Sequence, residues 1–310
     1  MVASTTLNAA ETIRVAANGI NFEVLTLGHG DRLAICLHGF PEHACCWHFQ
    51  MQVLAKLGFR VWAPNLRGYG GSDSPSGIRA YRAEILVEDV AALIRVSGAR
   101  ETVVIAHDWG GGLAWNLAMW RPALVQRLVI LNAPHPACFI RELKHPVQLL
   151  KSWYMLFFQL PFLPEWLLGM AEGKAIPYLI RNTSSDPSCF SEDVLETYRQ
   201  NAARPGGLTA MINWYRALLR GGAILRFRKM PVPKIEIPTL FIWGESDKFL
   251  STRTIVGIEN YVSNLTLRVL PGVSHWVQEE AADTVNKMLE AWLTDHPVPD
   301  YANLSHAATL

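Results

Sequence analysis

Short, almost wholly apolar segments alternate along this chain with longer segments of helical pattern. In the first half of the chain they occupy residues 33–38, 60–64, 102–107 and 127–132. An apolar run of this length is typical of a parallel strand that helices cover on both faces, because neither face is left to water. The alternation therefore predicts βαβ units and a mostly parallel central sheet flanked by helices, which is an α/β fold.

The strand pattern stops after Pro134 and resumes in residues 239–244 and 265–270, before an amphipathic helix over residues 279–292. The intervening stretch is aromatic-rich, with helical patterns and prolines. At 310 residues the chain exceeds the usual length of one compact unit, which agrees with an insertion. We therefore predict an interrupted core with a helical cap: core residues 1–135, cap residues 136–236 and core residues 237–310.

Composition and charge narrow the class of partner. Half of the residues are hydrophobic and 18% are charged, which is enough apolar material for a sizeable core. The net charge is +1 and no run is rich in lysine and arginine, so the basic surface expected of a protein that binds nucleic acid or an anionic membrane is missing. A small neutral molecule is the favoured partner. The oligomeric state stays open, with a homodimer among the alternatives.

Cysteine usage and the apolar stretches predict the cellular location of the protein. The five cysteines are odd in number and form no C-x-x-C pair, so neither a disulfide framework nor a zinc site is expected. The start of the chain lacks a basic region followed by an apolar run, which argues against a secretory signal. Residues 153–170 are apolar, but Gln159, Pro161, Pro164 and Glu165 would be costly in lipid. We expect a cytoplasmic protein with reduced, buried thiols and a broken cap helix instead of a membrane span.

The sequence around Asp108 predicts a strand, a sharp turn and the start of a helix, with Asp108 at the apex of the turn. Ala106 and Gly110 flank it where the G-x-S-x-G elbow of serine hydrolases has small residues. A carboxylate at this apex needs no base to deprotonate it, and it can attack a saturated carbon to form an ester that a second step hydrolyses. The alternative is an aspartate that only caps a helix N-terminus.

The residues around this turn support the catalytic interpretation. Phe40 lies in a segment that follows an apolar strand, and Trp109 follows Asp108, so we expect their main-chain N–H groups to hold an oxyanion during ester hydrolysis. Asp247 follows a strand, and His275 lies in a loop after the next one, so nucleophile, acid and histidine occur in the order that this fold uses. His275 would deprotonate the attacking water, and Asp247 would fix its tautomer.

Together these motifs resemble the epoxide hydrolase and haloalkane dehalogenase branch of the α/β-hydrolase superfamily, over essentially the whole chain. The matching segments are HGFPE from position 38, RGYGGSD from 67, AHDWGG from 106, APHP from 133, GESDKF from 244 and GVSHWVQEE from 272. The resemblance implies an α/β-hydrolase fold with a helical cap and an aspartate nucleophile, without a metal or an organic cofactor. HDWGG, from position 107, is common to both enzyme groups, so the choice between them depends on the cap and on Phe40.

Two cap segments resemble those that carry the tyrosines of epoxide hydrolases. SWYMLFFQLP, from position 152, is similar to the segment with the first tyrosine, and NWYR, from position 213, to the segment with the second. The resemblance implies that Tyr154 and Tyr215 donate to the epoxide oxygen, which suits an acid with a pKa of ~10. For the first of them, Tyr178 and Tyr198 remain alternatives.

The sequence thus predicts an epoxide hydrolase that converts small apolar epoxides and water to vicinal diols. The aromatic side chains expected to line its pocket are Trp109, Trp153, Phe158, Trp214 and Trp276. Haloalkane dehalogenase is the first alternative, although its members commonly have a polar residue where Phe40 stands. Fluoroacetate-cleaving relatives have arginine at the position of Trp109. A catalytically silent α/β-hydrolase that serves as a binding protein is the remaining alternative.

Overall fold

One sheet of eight strands forms the centre of the protein, in the order β1-β2-β4-β3-β5-β6-β7-β8. The computed structural model describes residues 10–229 and 231–301, without the side chains of residues 226 and 228. The strands are β1 (Glu11–Ala17), β2 (Ile20–Leu27), β3 (Arg32–Leu37), β4 (Arg60–Pro64), β5 (Glu101–His107), β6 (Arg127–Leu131), β7 (Thr239–Gly244) and β8 (Leu265–Leu270). β3 to β8 pair in parallel, whereas β1 and β2 are antiparallel to their neighbours. This confirms the predicted α/β fold with a mostly parallel sheet.

Helices account for most of the rest of the described chain. They are α1 (His48–Lys56), α2 (Ala83–Ser97), α3 (Asp108–Trp120), α4 (Pro136–Glu142), α5 (Pro146–Lys151), α6 (Trp153–Phe157), α7 (Leu163–Gly173), α8 (Ala175–Thr183), α9 (Glu192–Ala203), α10 (Gly207–Arg220), α11 (Ala223–Lys229), α12 (Val277–Glu280) and α13 (Ala282–Leu293). Every residue of β7, and all but the first residue of β3 and of β5, is buried. Burial on both faces explains the unbroken apolar runs of these strands.

An antiparallel hairpin, β1 and β2, begins the described chain. Its two-residue turn is Asn18-Gly19, and both residues have positive φ, 46° and 75°. Asparagine and glycine tolerate this conformation, and the resulting turn matches the twist of a hairpin. The Asn18 side chain also donates to Asp89 Oδ1 on α2 at 2.7 Å, which ties the turn to the core.

Between β6 and β7 the chain forms the helices α4 to α11, which we call the helical insertion (residues 136–229). No strand occurs in this described segment. The apolar stretch 153–170 divides into α6 and α7, which agrees with the predicted broken helix. Among the described residues no helix is long and apolar enough to span a membrane.

All five cysteines are free, and only Cys189 is not fully buried. Residues 1–9, on which the expectation about a secretory signal rests, lie outside the described residues, as do residues 302–310.

Candidate active site

Asp108 begins α3 immediately after β5 and has a φ of 47°, in the left-handed region that few residues other than glycine adopt. The turn is tight enough to require small neighbours. A Cβ on Gly110 would overlap the main-chain carbonyl of Leu37, and a Cβ on Gly111 would overlap the side chain of Ala133. The turn therefore lifts the Asp108 carboxylate above the carboxyl end of the sheet, where the first turn of α3 favours negative charge.

The main chain that follows β3 lies against this carboxylate. The Phe40 N–H donates to Asp108 Oδ1 at 2.8 Å. Gly39 must be small, because a Cβ there would overlap the Asp108 side chain. Trp109 is the next residue of α3. The role of its main-chain N–H as the second donor to an oxyanion stays a prediction. One of the two carboxylate oxygens, Oδ1, is thus held by a main-chain donor.

His275 and Asp247 meet beside this carboxylate. His275 Nδ1 lies 2.6 Å from Asp247 Oδ2, and His275 Nε2 lies 3.7 Å from Asp108 Oδ2. The second oxygen of Asp247 accepts the main-chain N–H groups of Phe249 and Leu250 at 2.7 and 2.9 Å. Asp247 therefore fixes the ring so that Nε2 faces the carboxylate of Asp108.

The charges at this site determine the proton on His275. Burial alone would lower the pKa of its imidazole, but the charge and hydrogen bond of Asp247 and the charge of Asp108 outweigh burial and raise this pKa to about 9. Burial opposes ionisation of Asp247 as well, yet the charge and hydrogen bond of His275 hold its pKa below the usual value. The imidazole of His275 thus carries a proton at neutral pH.

Tyr154 on α6 and Tyr215 on α10 face the carboxylate from the helical insertion. Their ring centroids are 5.8 Å apart, and the Tyr215 ring lies 5.0 Å from that of Trp109. Burial, followed by the charge of Asp108, raises the pKa of the Tyr154 hydroxyl. Burial, followed by the charges of Tyr154 and Asp108, raises that of Tyr215. Both phenols therefore keep their protons at neutral pH and are hydrogen-bond donors.

The two alternative tyrosines lie elsewhere. Tyr178 is 71% exposed. Tyr198 is buried, and its hydroxyl lies 3.5 Å from Glu279 Oε1. Neither lines the cavity that contains Asp108, whereas Tyr154 does.

A cavity of about 410 Å³ joins Asp108 to both tyrosines. It extends along one side of α3, past Leu113, towards the end of that helix. Most of its other contacts are apolar side chains, including Phe139, Ile140, Met155 and Leu218. Its polar lining residues other than Asp108 and the two tyrosines are Glu84, Glu88, Asn116 and Arg121. A mostly apolar lining of this kind suits an apolar molecule.

Of the five aromatic residues predicted to line the pocket, one lines the cavity that contains Asp108. Trp109 lines the cavity. Phe158, Trp214 and Trp276 are buried but are not among its lining residues. Trp153 is not among them either, and it is 62% exposed. α6 thus turns Tyr154 inwards and Trp153 outwards.

Asn132, at the end of β6, is a site residue that sequence reasoning missed. Its amide donates to Asp247 Oδ2 at 2.8 Å and accepts from the Gly244 N–H at 2.7 Å. It therefore links two strand ends and holds the carboxylate that orients His275. The sequence signal that could have identified Asn132 is a polar residue directly after an apolar strand.

Glu42 and His107 form a second buried contact behind Asp108, and both belong to motifs quoted above without a role. His107 Nδ1 lies 2.8 Å from Glu42 Oε2, and Nε2 lies 2.9 Å from the carbonyl oxygen of His275. The pair connects the loop after β3 with the loop that carries His275.

Comparisons with known proteins agree with this architecture. Residues 35–282 match the family described as alpha/beta hydrolase fold. The chain is 38% identical to the AB hydrolase superfamily protein YfhM of Bacillus subtilis, over 90% of this chain and 96% of that protein. It is 35% identical to epoxide hydrolase 3 of Xenopus tropicalis, over 91% of this chain and 77% of that one. The crystal structure of an epoxide hydrolase from Bacillus megaterium with an inhibitor has 29% identity and a TM-score of 0.83, over 91% of this chain and all of that one (100%).

The fold and the strand-end arrangement of its site define an α/β hydrolase, and the chain belongs to the α/β-hydrolase fold family. Within that family it belongs with the epoxide hydrolases, which share its fold over nearly the whole length of the chain.

Proposed function

We propose that this protein hydrolyses apolar epoxides to vicinal diols through a covalent ester on Asp108. The observation that carries the proposal is a single apolar cavity lined by Asp108 together with Tyr154 and Tyr215. The names of the relatives support the same activity. In this proposal the helical insertion belongs to a cap, residues 136–236, that closes over the core formed by residues 1–135 and 237–310.

In the first step, an Asp108 oxygen forms a bond to one ring carbon of the epoxide. The bond from that carbon to the ring oxygen breaks, and its electron pair goes to the oxygen, which takes a proton from Tyr154 or Tyr215. Because Oδ1 is held by the Phe40 N–H, Oδ2 is the oxygen free to attack. The product is an ester whose carbonyl oxygen lies at the Phe40 amide.

In the second step, His275 takes a proton from a water molecule, and the hydroxide attacks the ester carbonyl carbon. The Phe40 and Trp109 N–H groups hold the resulting oxyanion. The ester bond breaks, the diol oxygen takes the proton from His275, and the carboxylic acid formed on Asp108 ionises. The proton released by that ionisation restores the tyrosine, so one epoxide and one water give one diol.

Formation of the ester also changes the pKa of the His275 imidazole. Esterification removes the negative charge of Asp108, which is one cause of the raised pKa of this imidazole. The pKa therefore falls below about 9 in the alkyl-enzyme, which increases the fraction of neutral imidazole that is available as a base.

Ester hydrolysis is accordingly expected to quicken with rising pH, since the neutral imidazole is the active form. Below the pKa of His275 in the alkyl-enzyme, the single-turnover rate constant for hydrolysis should fall about tenfold for each pH unit. Rapid-quench mass spectrometry between pH 5 and 10 would measure it. A midpoint at or above the free-enzyme value of about 9 would contradict the charge argument.

Removal of either tyrosine hydroxyl is expected to slow alkylation of Asp108. Tyr154→Phe and Tyr215→Phe should each lower its rate constant by about 10²-fold, the lower end of the range for general acid catalysis, because the developing alkoxide loses one donor. Stopped-flow measurement of tryptophan fluorescence can follow this step. Tyr178→Phe is the matched control, because that tyrosine belongs to the same insertion and is exposed. Equal rates in all three variants would exclude tyrosine donors.

The proposal as a whole is tested with styrene oxide and 1-bromobutane. Diol formation from the oxide, with no bromide release from the haloalkane, is the expected result. Bromide release without diol would favour the dehalogenase alternative, and turnover of neither substrate, across a wider panel of oxiranes, would favour a binding protein.

A further inference from the structure

Exposed apolar side chains are concentrated in one short part of the helical insertion. Of the 16 large hydrophobic residues that are exposed in the described chain, 11 lie within residues 147–170. The most exposed are Phe162 at 84%, Leu150 at 73%, Leu156 at 63% and Trp153 and Trp166 at 62%. We call this set, on α5, α6, α7 and their links, the apolar face.

Summed over its 11 side chains, the apolar face exposes more apolar area than the largest patch of a typical monomer. A buried aromatic side chain covers 150–250 Å², so three aromatic and eight aliphatic side chains at these exposures present on the order of 1,000 Å². The largest apolar patch of a typical monomer is roughly 300–600 Å². Among the described residues, nothing covers this face.

The area and the charge of the face indicate its partner. A stable protein interface buries about 800 Å² on each side, which the face can supply. Residues 147–170 contain two charged side chains, Lys151 and Glu165. Lys151 Nζ is bound to the carbonyl oxygen of Asp247, and Glu165 is paired with Arg216. The face therefore offers no free cation to anionic lipid, and two identical copies of it would not repel each other.

We propose that the apolar face is a two-fold interface with a second copy of this chain. A two-fold interface brings the same patch of both copies together, so one uncharged apolar face is complementary to itself. The interface would lie directly behind the active site. α6 presents Trp153 and Leu156 to the face, while Tyr154 and Met155, on its other side, line the cavity. The second copy would thus hold in place the helix that carries Tyr154.

The test is the mass of the protein in solution as a function of its concentration. Light scattering after size exclusion, with sedimentation equilibrium, should give twice the 34.6 kDa of one chain for the wild type. Phe162→Asp and Trp166→Glu each remove an apolar contact in both copies and set like charges close to each other. Each is expected to raise the dissociation constant by about 100-fold or more.

Val256→Asp is the matched control, since Val256 is 64% exposed but lies outside the apolar face, and it should leave the dimer intact. Melting temperatures of the variants will separate loss of the dimer from loss of the fold. A wild-type monomer at 100 µM, or a dimer that both face variants leave intact, would overturn the proposal. Sedimentation of a monomer with phosphatidylcholine vesicles would also overturn it, in favour of a lipid partner. None of these measurements uses an epoxide, so the result is independent of the proposed activity.

Discussion

Asp108→Asn is expected to lower kcat/KM for styrene oxide by at least about 10⁴-fold, because the neutral amide cannot displace the ring oxygen at carbon. Asparagine suits the test since it tolerates the positive φ of this position and its side-chain oxygen can still accept the Phe40 N–H. Diol formation measured by chromatography is the readout. The variant protein should keep the wild-type melting temperature to within a few degrees.

Asp295→Asn is the matched control for this substitution. Asp295 is also an aspartate with positive φ, 58°, but it lies at the surface, paired with Arg127. Its replacement should leave turnover unchanged. Near wild-type diol formation by Asp108→Asn protein, freshly prepared so that deamidation does not restore the acid, would rule out the covalent mechanism.

His275→Gln is expected to stop the reaction after the first half. Alkylation of Asp108 uses no base, whereas ester hydrolysis does, so the variant should consume about one epoxide per chain and then stall. Intact-protein mass spectrometry should find the mass of the chain increased by one substrate molecule. Tandem spectra should assign the added mass to the peptide that contains Asp108.

His29→Gln, at an exposed histidine, serves as the control and should turn over without accumulating an adduct. If His275→Gln protein formed neither adduct nor diol, His275 would have to act in the alkylation step. An adduct on a residue other than Asp108 would show that the nucleophile had been assigned to the wrong side chain.

The inner strands of the central sheet, β3 to β7, could be predicted from the sequence because they are buried on both faces. These strands leave neither face to solvent, so their side chains form continuous apolar runs. Of the strands predicted from the sequence, β4, β7 and β8 end where the apolar pattern ends. The edge hairpin of β1 and β2 was missed, although Asn18-Gly19 between alternating side chains is a strong hairpin signal. One face of β1 meets solvent, so the strand lacks a continuous apolar run.

The site could be predicted where it depends on the sharp turn after a strand, and not where it depends on how a helix is rotated. Asp108, Asp247 and His275 follow strand ends, so the sheet brings them together. The pocket was harder to predict, because α6 is apolar on every side and no polar face marks its exposed surface. Trp153 and Tyr154 are adjacent in the sequence, yet one is in solvent and the other lines the cavity. The packing of α6 against its neighbours alone decides which of these two side chains faces the cavity.

α6, only five residues long, limits how this enzyme could be engineered. A designer who wanted a more soluble variant would first replace Trp153 and Leu156 with polar residues. Each of these is the direct chain neighbour of a cavity residue, Tyr154 or Met155. In so short a helix, a change on the outside readily shifts the backbone that both sides share. Solubility and substrate selectivity would therefore be difficult to optimise separately at this helix.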